Sequence, residues 1–267
     1  MNSRERQMLE ILKRGRDEFG YVSVKAEFEA EGTRIDELLR LVELVHRARL
    51  ELTVKIGGCE AVRDLLESRQ IGVRYIVAPM VETPYALSKY VQAKNAIYLA
   101  EERQDTDFLF NIETHTGFQN RQQLAEQATV KDGVQGMVFG RVDYTGSLGV
   151  TRESVNDARV TKDVIEIALL CKSRGLDLVV GGGVSKDSIA CLRQVAEVHL
   201  SRFETRKIVF DGNSINSSRI ESGLLEAVHF ELLWLLNKQA YYTTISEEDG
   251  KRIDMLEARW KVLGAKR

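Results

Sequence analysis

Proline is nearly absent: Pro79 and Pro84 are the only two in 267 residues, and no Pro/Ser-rich or low-complexity stretch interrupts the chain. With no linker to divide it, the sequence reads as one domain, 1–267, with an N-terminal helix over 1–18 and helices over 217–265. Cysteine is scarce too. Cys59, Cys171 and Cys191 show no CxxC spacing, which argues against structural zinc and for reduced thiols. The charged start "MNSRERQMLEILKRG" lacks the apolar core of a signal peptide. No apolar run approaches the roughly 20 residues needed to span a bilayer. Charge of one sign is also missing. Lys and Arg number 38 against 40 Asp and Glu, a net charge of −2 with no basic stripe to hold nucleic acid. A cytoplasmic protein with neither membrane nor nucleic-acid partners is the expectation.

What is present is alternation. Short β-rich apolar runs occur at 21–28, 51–56, 73–80, 108–113, 134–140, 176–182 and 207–212. Between them lie segments of helical period, such as "RIDELLRLVELVHRAR" (34–49), where Leu38, Leu39, Leu41, Val42 and Val45 form an apolar stripe. This order predicts parallel strands covered by helices. Seven strands and room for an eighth suggest an α/β fold, a (β/α)8 TIM barrel or close variant with additional C-terminal helices. A doubly wound sheet fits less well, because no GxGxxG follows the first strand.

In such a barrel the C-terminal ends of the strands build the active site. Ionisable groups stand at four of these ends: Lys55, Glu82, Glu113 and Asp143. Taken singly, each is as readily a solvated loop charge. Glu113 and Asp143 belong to consecutive strands, and a pair of hard oxygen ligands suits Mg²⁺ or Mn²⁺. His115 is a weaker candidate for a third ligand. Strand alternation also sets Lys25, Glu27 and Glu29 on one side of the first strand, opposite Ala26 and Phe28.

Three blocks, "YIVAPMVETPYAL", "NIETHTGFQN" and "VFGRVDYTGSLG", occur in order. They resemble the HpcH/HpaI aldolase and citrate lyase family of metal-dependent barrel enzymes, over about residues 21 to 190. The resemblance implies a carbon–carbon lyase, aldolase or condensing enzyme acting through the pyruvate-like enolate of a 2-oxo acid. It implies that Glu113 and Asp143 hold the divalent metal, and that the loop at Asp143, Tyr144 and Thr145 receives the substrate carboxylate. Lys55 stands where the family has a substrate-binding arginine, keeping the charge and losing the fork. Arg141 departs from a small residue or proline and is a candidate for a substrate phosphate or carboxylate, or for a neighbouring subunit. Phe28 replaces the family's acid/base histidine, so proton transfer falls to His115, Glu27, Lys25 or a metal-bound water, with His115 preferred. Two other functions stay open: a citrate-lyase-like enzyme on an acyl-CoA or carrier thioester, and an inactive barrel serving as a scaffold.

"SSRIESGLLEAVHFELLWLLNKQAYY" (217–242) is apolar on a broad face, and a second helix is expected over 246–263 with Ser246 as its cap. The resemblance implies a homo-oligomer, a trimer or hexamer, packed through such helices.

Overall fold

Eight strands close into one barrel: β1 (Tyr21–Glu27), β2 (Glu51–Lys55), β3 (Tyr75–Ala78), β4 (Asp107–Ile112), β5 (Gly136–Gly140), β6 (Asp177–Gly181), β7 (Arg202–Glu204) and β8 (Ile208–Asp211). In this computed structural model residues 1–264 are described, with side chains to residue 261. The last residues of the single-domain expectation, 265–267, lie outside them. All seven apolar runs became strands, and the eighth is the three-residue β7.

The barrel is not wholly parallel. Pairs β1 to β7 run parallel in sequence order, but β8 is antiparallel to both β7 and β1. A turn at residues 205–207 joins β7 to β8, with Thr205 N–H donating to Ile208 O at 2.9 Å, where a crossover helix was expected. So few residues leave no room for a helix, and a tight turn can join only antiparallel strands. The turn therefore sits at the end of the barrel where the parallel strands finish.

Helices α1 (Ser3–Arg14), α2 (Ile35–Ala48), α3 (Val62–Ile71), α4 (Pro84–Ile97), α5 (His115–Gln119), α6 (Arg121–Ala128), α7 (Arg141–Ser147), α8 (Ala158–Arg174), α9 (Ile189–Val198) and α10 (Ile220–Gly264) surround the sheet. Local chemistry marks several ends. Asn2 and Glu5 form a capping box on α1, and Thr83 caps α4 just ahead of Pro84. The tail is one helix of 45 residues, about 68 Å long, not two. Ser246 lies inside it, and Thr244 Oγ1 donates back to Ala240 O without breaking it.

Outward strand residues such as Val54, Ile76, Phe108, Phe110, Phe139 and Val180 are buried against the helices and form the main core. Inside the barrel Val77, Leu109, Val138 and Val179 make a small apolar plug above Tyr75. Arg202 stacks on the Tyr75 ring at 4.4 Å and closes the lower end. Lys25, Glu27, Lys55, Asn111 and Glu113 line a cavity on the other side of that plug.

Candidate active site

Above the plug, β1, β2, β4 and β7 contribute Lys25, Glu27, Lys55, Asn111, Glu113 and Glu204 to a cavity of about 410 Å³ at the barrel mouth. Glu113 is 2 % exposed and rigidly held. Its Oε1 accepts the Met80 N–H at 2.9 Å, and its Oε2 accepts from Asn111 Nδ2 at 2.6 Å. Met80 has φ 52°, a left-handed conformation unusual for a non-glycine residue, and marks local strain beside the site. Glycine at 140 makes room: a Cβ there would lie 2.7 Å from Glu113 Oε2. Burial raises the Glu113 carboxyl above its ordinary range, Lys55 opposes that, and Asp143 adds to it. Asp143, in the first turn of α7, lines the same cavity.

The other charges form two linked groups. Lys25 Nζ lies 2.5 Å from Glu204 Oε1 and 3.1 Å from Glu27 Oε1. Burial disfavours the Lys25 charge, but the two carboxylates outweigh it and hold the ammonium above its usual value. For Glu27 burial acts upward, and Lys25 reverses it, leaving the carboxyl below its ordinary value. Lys55 Nζ meets Glu29 Oε2 at 3.3 Å and Glu113 Oε2 at 3.5 Å. Phe28 turns the other way and packs on the core, as alternation along β1 requires.

Glu82, one of the four strand-end charges, does not reach the mouth. Thr114 Oγ1 donates to its carboxylate at 2.7 Å while accepting from Gly117 N–H, and Asn120 Nδ2 donates to Glu82 O at 2.8 Å. Two of the sequence blocks are thereby bolted together behind the site.

Four other expected site residues lie elsewhere, and helix geometry is the reason. Arg141, Tyr144 and Thr145 share α7 with Asp143, so side chains one or two positions away point to other faces. Arg141 is fully buried, with Nε donating to Gly181 O at 3.1 Å, Nη1 to Asn156 Oδ1 at 2.9 Å and Nη2 to Ser188 Oγ at 3.2 Å. It braces the wall behind the mouth. Tyr144 packs on Phe118 and Phe139 and donates its hydroxyl to Asp163 at 2.7 Å. Thr145 Oγ1 donates to Val142 O at 2.8 Å. His115 opens α5 and its Nε2 meets Gln119 at 2.9 Å, outside the lining of the mouth. The structure thus gathers Lys55, Glu27, Glu113 and Asp143 and leaves out His115, Arg141, Tyr144 and Thr145.

Asn111, Glu204 and Arg206 are mouth residues the sequence reading missed. Asn111 carried a signal, standing two residues before Glu113 and hence on the same strand face. Glu204 and Arg206 carried none, because their strand and turn went unrecognised.

A divalent cation fits this donor set. Asn111 Oδ1 is buried with no hydrogen-bond partner, next to the Glu113 carboxylate that its own Nδ2 holds. Six carboxylates line the mouth (Glu27, Glu29, Glu113, Asp143, Glu204, Glu231) against four cations (Lys25, Lys55, Arg152, Arg206), an excess of two negative charges. Among the described residues no three His, Cys, Asp or Glu side chains form a ready-made cage. Two carboxylates and an amide oxygen instead suit Mg²⁺ or Mn²⁺, which keep waters and take donors from substrate.

Solved structures share the fold. An HpcH/HpaI aldolase from Desulfitobacterium hafniense DCB-2 superposes with a TM-score of 0.61 at 12 % identity, over 74 % of this chain and 82 % of the other. An HpcH/HpaI aldolase/citrate lyase family protein from Burkholderia cenocepacia J2315 gives 0.60 at 14 %, over 90 % and 89 %. A citrate synthase variant, SbnG, gives 0.52 at 18 %, over 74 % and 81 %. No curated protein matches the chain. The family model for HpcH/HpaI aldolase/citrate lyase covers residues 23–209, from β1 into β8, and this chain belongs to that family.

Proposed function

We propose that the barrel mouth is the active site of a carbon–carbon lyase that cleaves, or in reverse builds, a 4-hydroxy-2-oxo acid through a pyruvate-like enolate. The observation that carries this reading is the pinned Glu113 carboxylate, with Asp143, Lys55 and Asn111, whose amide oxygen has no partner, lining the same cavity. Glu113, Asp143 and Asn111 Oδ1 would hold Mg²⁺ or Mn²⁺, whose chemistry is to draw electron density from a 2-oxo group and lower the cost of the enolate.

This chain's own groups do the rest. Lys55 offers an ammonium to the substrate carboxylate from a buried strand end. Glu27, held below its ordinary pKa and so ionised at neutral pH, takes the proton of the 4-hydroxyl. The C3–C4 bond then breaks. Its electron pair passes to the enolate, the hydroxyl carbon leaves as a carbonyl, and a proton returned to C3 gives pyruvate. Lys25, clamped between Glu204 and Glu27, orients the base.

Exchange of the pyruvate methyl protons in D₂O, followed by NMR with Mg²⁺ saturating, tests enolate formation without knowledge of the aldehyde. Wild type is expected to exchange them, and Glu113→Gln and Asp143→Asn to lose the exchange. No exchange by wild type overturns the reading.

We also infer a homo-oligomer. Leu225, Val228, Leu232 and Leu235 repeat along one side of α10 and are each more than half exposed, an apolar face that a second copy would cover.

A further inference from the structure

The loop between β1 and α2 lies over the mouth, and one of its carboxylates occupies the lysine assigned above to substrate. We propose that Glu29 is an internal competitor for Lys55, and that the loop carrying it is a lid displaced when a 2-oxo acid binds. The proposal rests on the reading of Lys55 as the seat of the substrate carboxylate.

The two carboxylates facing Lys55 are held very differently. Glu113 is fixed by the Met80 N–H and the Asn111 amide, as any group built into a site must be. Glu29 Oε2 makes no hydrogen bond and meets Lys55 through charge alone, at 3.3 Å. Its side chain is 29 % exposed against 8 % for Lys55. Oε2 itself is buried, but a pair held by charge with no hydrogen bond is weaker than the pinned Glu113, so an incoming carboxylate with a second anchor displaces it. A free carboxylate against that ammonium is also what the substrate itself would present.

The loop has the anchors and the slack a lid requires. At its base Phe28 N–H donates to Lys55 O at 2.8 Å, and Thr33 N–H to Glu27 O at 3.1 Å. At its tip Glu31 pairs with Arg206 at 3.2 Å and with Lys207, both from the β7–β8 turn. Between base and tip, Gly32 has φ 54° and open space around its Cα, and Glu29 and Ala30 line the cavity. Opening of the lid breaks the ion pairs at Glu29 and Glu31, the latter with the buried Lys207 among them, and frees the Thr33 N–H at the far base, while the Phe28 bond stays in place.

Glu29→Gln removes the competing charge and leaves the loop length and the site residues unchanged. Oxalate, a dianion shaped like the enolate of pyruvate, is the probe, titrated calorimetrically with Mg²⁺ saturating. Glu29→Gln is expected to bind it about three- to fivefold more tightly, the range a partly exposed ion pair can impose. Amide hydrogen exchange of a peptide spanning 28–33 is expected to rise in Glu29→Gln without ligand, and in wild type on adding oxalate. Equal or weaker oxalate binding by Glu29→Gln overturns the competition. Oxalate binding by neither protein counts against the proposed function, and loop exchange then decides the lid alone. Faster exchange in Glu29→Gln supports the latch, and unchanged exchange overturns it.

Discussion

A buried carboxylate is a burden to the fold, and Glu113 shows the sign of it. Its pKa is raised, chiefly by burial. The folded state therefore favours the protonated form. Stability from this group is present at low pH and is lost as pH rises from the ordinary glutamate value through the raised one. At neutral pH the neutral isostere should be the better tenant. Glu113→Gln is expected to raise the melting temperature of the metal-free protein by ~2–4 °C, about 1 kcal/mol, while abolishing Mg²⁺ binding. Differential scanning calorimetry with and without metal checks both halves. Lys94 carries the opposite charge and a different burden. It is 2 % exposed, and its pKa is pushed down to about 8 by burial, with Arg103 adding to the effect. Below that value the folded protein carries a desolvated ammonium. As pH rises from about 8 toward the unfolded lysine value the unfolded chain binds more protons, and stability from this group increases. The stability advantage of Lys94→Met over wild type should thus be largest near pH 7 and shrink by pH 10. Denaturant titrations at the two pH values read the change directly.

Elements explain why some of this was legible in the sequence and some was not. A strand has a period of two, so Lys25, Glu27 and Glu29 were assigned to one face from the sequence; β1 ends at Glu27 and Glu29 follows in the loop, yet all three line the mouth. The stretch after β5 was read as a loop in which neighbours share a site. It is the helix α7, and a rotation of about 100° per residue sends Arg141, Tyr144 and Thr145 away from the face of Asp143. His115 was lost for the same reason, because α5 begins at that residue. The three-residue β7 has too few positions to show any period. Its partner β8 was found at 208–211, but an apolar run does not state its direction. Close approach between elements was partly visible as glycine. At Gly140 a methyl group would lie 2.7 Å from Glu113 Oε2 and 2.8 Å from Glu113 Cβ, so one of them must move. Gly140→Ala is expected to weaken Mg²⁺ affinity by on the order of tenfold while leaving the far-ultraviolet dichroism unchanged, since a misplaced ligand loses binding before it loses the fold. Calorimetric titration with Mg²⁺ measures the loss, and undiminished affinity refutes the role given to this contact.

Over the whole molecule the conspicuous part is α10. Its first turns pack on α1: Arg14 pairs with Glu226 at 2.6 Å, and Asn2 Nδ2 donates to Asn237 at 2.7 Å. Farther along, Ile245, Ile253, Met255, Leu256 and Trp260 are all exposed, Trp260 to 77 %. So much apolar surface on a helix past its last packing partner predicts self-association. Sedimentation should give a mass that is a multiple of the 30.2 kDa chain. Deleting residues 244–267 should reduce it while the barrel melts cooperatively. A full-length chain that sediments as a monomer refutes the oligomer.

The reversal of β8 has a consequence for descent with modification. In an all-parallel barrel each loop at the mouth is tied to the helix that follows it, and lengthening the loop risks disturbing that helix's packing. Here one stretch of the rim, Thr205 to Lys207, is the turn of a hairpin, answerable only to the two strands it joins. Arg206 in that turn faces the cavity and is half exposed. Substitution or insertion there alters what the mouth presents to a ligand without repacking a helix. In this barrel, that turn is a place where the rim can change at small structural risk.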